Sequence, residues 1–73
     1  MRELKKFIDE LKELSYTMVS IGECFQGNEQ LIKLDDLPCK IREFGIEEVV
    51  AEYYESFEFI DNNGKYIMVN GVY

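Results

Sequence analysis

Asn63-Gly64 separates two runs rich in strand formers, Phe57-Glu58-Phe59-Ile60 and Tyr66-Ile67-Met68-Val69. Asn-Gly in that setting is the strongest short-range hairpin signal a sequence carries, because both residues accept the positive φ that a tight type I′ turn demands. Residues 57–69 are therefore committed to two antiparallel strands. A two-residue turn predicts that Asn62 pairs with Lys65 and Ile60 with Ile67, while Phe59 faces Met68. One face then carries Phe57, Phe59, Tyr66 and Met68, leaving Ile60, Ile67, Val69 and Tyr73 on the other. A lone hairpin is marginal in water, so one face must pack on something else.

The N-terminal segment supplies a cover. Leu4, Phe7, Ile8, Leu11 and Leu14 recur at helical spacing with charged residues between them, which is the pattern of an amphipathic helix. Its polar side carries four bases (Arg2, Lys5, Lys6, Lys12) and four acids (Glu3, Asp9, Glu10, Glu13), the neutral mixture expected of a solvated helix back. Tyr16 to Phe25 is rich in strand-favouring residues, Gly27-Asn28 marks a turn, and Gln30 to Leu34 reads as a returning strand. Asp35-Asp36-Leu37-Pro38 reads as a helix start, with an acidic N-cap candidate and a proline in the first turn; Leu37, Ile41 and Phe44 continue the stripe and Gly45 stops it.

Ile46 to Phe57 fits two templates. Ile46, Val49, Val50, Tyr53, Tyr54 and Phe57 follow helical spacing, with Glu47, Glu48, Glu52 and Glu55 opposite, whereas the β-branched and aromatic content favours a strand. Periodicity favours a helix here. The expected fold is α+β: one domain over residues 1–73, with an N-terminal amphipathic helix, one or two further short helices, and a small antiparallel sheet that includes the C-terminal hairpin.

Composition narrows the chemistry. The 73 residues contain no histidine, which removes the commonest general base and both the Ser/His and Cys/His nucleophile arrangements, so the chain reads as a non-enzyme with no catalytic residues. Cys24 and Cys39 form no CxxC unit and read as two buried thiols, with no metal site and no cofactor expected. Gly22 to Gly27 matches a phosphate loop in spacing only, since Asn28-Glu29 stands where Lys and Ser or Thr are required. Asp61-Asn62-Asn63-Gly64 lacks the alternating ligands of a calcium loop. No apolar run approaches the ~20 residues that span a bilayer, and the charged start is unlike a signal peptide, so a soluble cytoplasmic protein with no membrane partner is expected.

Charge placement is the remaining signal. The net charge is −7, which disfavours direct binding to nucleic acid. Residues 43–73 hold seven acids (Glu43, Glu47, Glu48, Glu52, Glu55, Glu58 and Asp61) and a single base, Lys65. Helix surfaces shaped for stability interleave the signs, so unrelieved like charge suggests a second selective pressure. The expectation is a protein-binding module whose acidic ridge, Glu43 to Asp61 with Tyr54 beside it, docks on a basic surface of a partner protein. Tyr53, Tyr54 and Tyr73 are the aromatic anchor candidates, with core packing the favoured alternative for Tyr53 and for Phe57.

In size and charge the chain resembles the small acidic inhibitors encoded by phages and mobile elements, among them DNA mimics and anti-CRISPR proteins. That resemblance implies stoichiometric occlusion of a nucleic-acid-binding surface, with carboxylates standing in for phosphates. The rival expectation is a homodimer or larger assembly built on the hairpin face that carries Ile60, Ile67, Val69 and Tyr73.

Overall fold

The computed structural model describes residues 2–24, 26–53 and 55–72. α1 spans Arg2–Glu13 and buries Phe7, Ile8 and Leu11, with Leu4 and Leu14 packed at the margin of the core, as the spacing predicts. Its end is a left-handed cap. Ser15 takes φ 68°, and the Tyr16 and Ser15 N–H groups donate to the Leu11 and Lys12 carbonyls, both at 3.0 Å, satisfying the last turn.

The chain then runs through β1 (Met18–Glu23) and β2 (Gln30–Lys33), a 3-10 turn at Leu34–Asp36, and α2 (Leu37–Phe44). α2 begins with its proline in the first turn, but Asp36 at the N-cap adopts helical dihedrals and its side chain caps nothing, so the acidic cap expected there is absent. β3 (Ile46–Glu52), β4 (Ser56–Asp61) and β5 (Tyr66–Val72) complete an antiparallel sheet of order β2-β1-β5-β4-β3.

Register decides which side chains are buried. Val19, Ile21, Phe57, Phe59, Ile67 and Val69 point to one face and join Phe7, Leu11, Leu37 and Ile41 in a single core, so both helices cover the same side of the sheet. Phe57 lies between Phe7 and Phe59, with ring centroids 5.5 and 6.1 Å away, and the Phe44 ring meets Phe59 edge-on at 6.3 Å. Complete burial of one such ring is worth about 1.5–3 kcal/mol, so this cluster anchors the sheet to the helices.

Two expectations are corrected. Residues 46–53 and 55–57 are not helical; β3 occupies Ile46–Glu52 and β4 starts at Ser56. β3 pairs with β4 through Ile46↔Asp61, Glu48↔Ile60, Val49↔Phe59, Ala51↔Glu58 and Glu52↔Phe57, skipping Glu47 and Val50 at two bulges. Each bulge inserts a residue, so the positions facing the core side are Ile46, Val49 and Glu52, three apart instead of two. Bulged strand and helix thus share a spacing.

The second correction concerns the hairpin, which forms where expected but one residue out of register. The Gly64 N–H reaches the Asp61 carbonyl at 3.1 Å, the Asp61 N–H reaches the Lys65 carbonyl at 2.9 Å, and Gly64 takes φ 78°. That is a type I turn closed by a left-handed glycine, which makes a three-residue loop. Ile60 therefore pairs with Tyr66 and Phe59 with Ile67, and a one-residue slip reverses the faces of a whole strand. Ile67 and Val69 are fully buried, whereas Tyr66 is 52% exposed and Met68 lies on the far face.

Candidate protein-interaction surface

β3 is the edge of the sheet, hydrogen-bonded to β4 on one side and, among the described residues, to no strand on the other. Unpaired edges invite indiscriminate strand addition, and bulges and charged side chains both discourage it. β3 has both: Glu47, Glu48 and Glu52 are exposed along it, Glu55 is exposed just before β4, and the Tyr53 N–H donates to the Ser56 carbonyl at 2.8 Å.

Two apolar side chains sit among these acids, Val50 at 44% exposure and Tyr53 at 58%. Val50 is the bulge residue itself, pushed out of the alternation that packs the half-buried Val49 against the core. Tyr53 therefore lies outside the core, contrary to expectation, while Phe57 lies within it. Of the two, Tyr53 was an anchor candidate in the sequence with core packing as the favoured alternative, whereas Val50 did not stand out, because the helical reading turned it toward the core.

The remaining acids of the predicted ridge have other settings. Glu43, near the end of α2, is exposed and sits 3.3 Å from Lys40 Nζ. Glu58 is half-buried on the sheet face away from the helices, where the Cys24 thiol donates to its Oε1 at 3.8 Å. Burial raises the Cys24 thiol pKa, and the Glu58 charge beside it raises it further by opposing the thiolate.

Asp61 is only 3% exposed, and its Oδ1 accepts the N–H groups of Asn63 at 2.8 Å and Lys65 at 2.9 Å. Its carboxylate is consumed by the hairpin turn. Tyr54 and Tyr73 lie outside the described residues. The structure therefore gathers Glu47, Glu48, Glu52 and Glu55 on one edge and assigns Glu43, Glu58 and Asp61 to other neighbours.

Internal counter-charges fall elsewhere. Among the described residues the ion pairs are Lys5–Asp9, Lys12–Asp35, Lys40–Glu43 and Lys65–Glu23, and none involves the four glutamates of the β3 edge. Lys65, the sole base of the second half, is drawn to Glu23 at 3.0 Å, and that hydrogen bond raises its pKa. Cys24 is half-buried and Cys39 exposed, both as free thiols, so the expected burial holds only in part for Cys24 and fails for Cys39, which accepts from Arg42 Nη2 at 3.1 Å. Among the described residues no group of three potential ligands converges as a metal site, and no helix is long and apolar enough to cross a membrane.

Comparison with protein-family models, with characterised proteins and with solved structures gives no match for this chain.

Proposed function

We propose that this protein is a non-enzymatic binding module that uses its β3 edge to occupy a basic surface of a partner protein. The observation that carries the reading is that one edge segment exposes Glu47, Glu48, Glu52 and Glu55, which have no ion-pair partner among the described residues, together with Val50 and Tyr53. Charge of one sign steers encounter with a surface of the other sign, and an aromatic side chain within the charged rim adds buried contact area. A partner surface of lysine and arginine built for phosphates would meet carboxylates at this edge, and the mechanism is stoichiometric occlusion, with no cofactor and in the cytoplasm. Asp61 takes no part, because its oxygen is held inside the fold.

An assembly through the hairpin face has less support, since Ile67 and Val69 are in the core and offer no surface. The test is affinity capture from a native lysate with the wild type and with a variant carrying Glu47→Gln, Glu48→Gln, Glu52→Gln and Glu55→Gln. The wild type is expected to retain basic proteins at low salt and release them at ~500 mM, where the screening length falls to a few ångströms. A folded variant that retains the same proteins equally well overturns the proposal.

A further inference from the structure

The opposite edge of the sheet is built differently. β2 has no bulge in its pairing with β1 and runs Met18↔Lys33, Val19↔Ile32, Ser20↔Leu31 and Ile21↔Gln30. The Leu34 N–H donates to the Thr17 carbonyl at 2.8 Å, and alternation from that point makes Val19↔Ile32 and Ile21↔Gln30 the hydrogen-bonded pairs. The main-chain N–H and C=O groups of Leu31 and Lys33 therefore point outward, away from β1. Continuing the register places Glu29, just before β2, opposite Gly22, where a Cβ on Gly22 would lie 2.7 Å from Glu29 Cα, so Glu29 stays beside β1 and the same alternation carried on to it turns its main chain outward.

On this edge Leu31 is 61% exposed, the most exposed large hydrophobic side chain among the described residues. Glu29 lies two residues before it and Lys33 two after; both are exposed, and neither has an ion-pair partner among the described residues. From this pattern we infer that β2 pairs antiparallel with β2 of a second copy of this chain, the two-fold axis passing through Leu31. In that register each outward-pointing residue meets another: Leu31 meets Leu31 of the second copy, and Glu29 meets Lys33 of the second copy on either side of the axis.

Charge selects this arrangement over the parallel one. Parallel pairing in register would set Glu29 against Glu29 and Lys33 against Lys33. Like charges directly opposite destabilise a strand pair, so the charges along this edge favour the antiparallel pairing with a copy of itself over the parallel one. At the β3 edge, the run of glutamates opposes self-pairing. The paired segment is short, which places the dimer in the weak, concentration-dependent class. This inference uses the edge opposite the proposed partner surface and stands independently of it.

Sedimentation equilibrium of the full chain, over about 10 μM to 1 mM, tests the pairing, with circular dichroism confirming the fold of each variant. A reversible monomer–dimer equilibrium is expected. Glu29→Lys alone and Lys33→Glu alone each turn two attractive pairs into repulsive ones and should weaken dimerisation by about tenfold or more. The double exchange, Glu29→Lys with Lys33→Glu, restores both pairs and should recover the wild-type constant. A wild type that stays monomeric at the highest concentration overturns the inference and leaves the edge to a strand of a different protein. A dimer indifferent to the single exchanges, or one that the double exchange does not rescue, overturns it as well.

Discussion

Asp61 is an acid in a position where acids are rarely buried, and the reason is local. Its Oδ1 holds the N–H groups of Asn63 and Lys65, at 2.8 and 2.9 Å, and so fixes the loop whose register sends Ile67 and Val69 into the core. Hydrogen bonds to a charged acceptor are each worth about 1.5–3 kcal/mol, discounted here because both donors belong to exposed residues that water reaches. Asp61→Ala should cost about 1–3 kcal/mol in urea unfolding, and Asp61→Asn less, since the amide oxygen still accepts. An alanine variant within about 0.5 kcal/mol of wild type would show that the turn closes without the carboxylate.

Cys24 gives the pH dependence at this scale. Burial and then the Glu58 charge raise its thiol pKa, so the folded state holds the proton more tightly than the unfolded chain does. Its contribution to stability is complete below the unfolded thiol pKa and is lost as pH rises through the folded value. Glu58→Gln removes the second cause, so the pH profile of Cys24 alkylation should move toward lower pH in that variant. An unchanged profile would leave burial as the whole cause.

At the scale of elements, the junction between α2 and β3 is the tightest constraint. Gly45 has φ 75° and ψ 134°, dihedrals that only glycine adopts without strain, and a Cβ there would collide with the Asn62 side-chain amide. Gly45→Ala should lose about 1–3 kcal/mol from backbone strain alone. For a domain of this size that corresponds to a fall in Tm of at least about 4 °C, measurable by thermal unfolding.

Gly45 was legible in the sequence as a helix stop, as was α1 from its stripe of Leu4, Phe7, Ile8 and Leu11, because both signals are local. What followed Gly45 was not legible, since the two bulges of β3 space Ile46, Val49 and Glu52 three apart and copy the helical period. The hairpin shows the same divide: Asn63-Gly64 marked the turn, but the buried Asp61 carboxylate selected the loop length and so the face of β5. Which strand lies at an edge depends on pairings across the whole chain, so the exposure of Val50, and the edge setting of Tyr53, became visible only with the fold.

For the whole molecule, the uneven charge is a cost that the structure leaves unrelieved. Every ion pair among the described residues lies away from the β3 edge, so Glu47, Glu48, Glu52 and Glu55 repel one another with only solvent and salt to screen them. Neighbouring like charges on a strand or helix surface destabilise by about 0.2–1 kcal/mol per close pair, and a net charge of −7 on 73 residues adds long-range repulsion in the same direction. The variant with all four glutamates changed to glutamine should therefore unfold at a higher temperature than wild type at ~10 mM salt, with the gap closing toward ~500 mM as screening removes the repulsion. If the edge served stability alone, its neutralisation would lower Tm or leave it unchanged at every salt concentration. A gain in stability that disappears with salt would instead mark these carboxylates as held in place against the interest of the fold, as expected of groups whose counter-charges are supplied by a partner.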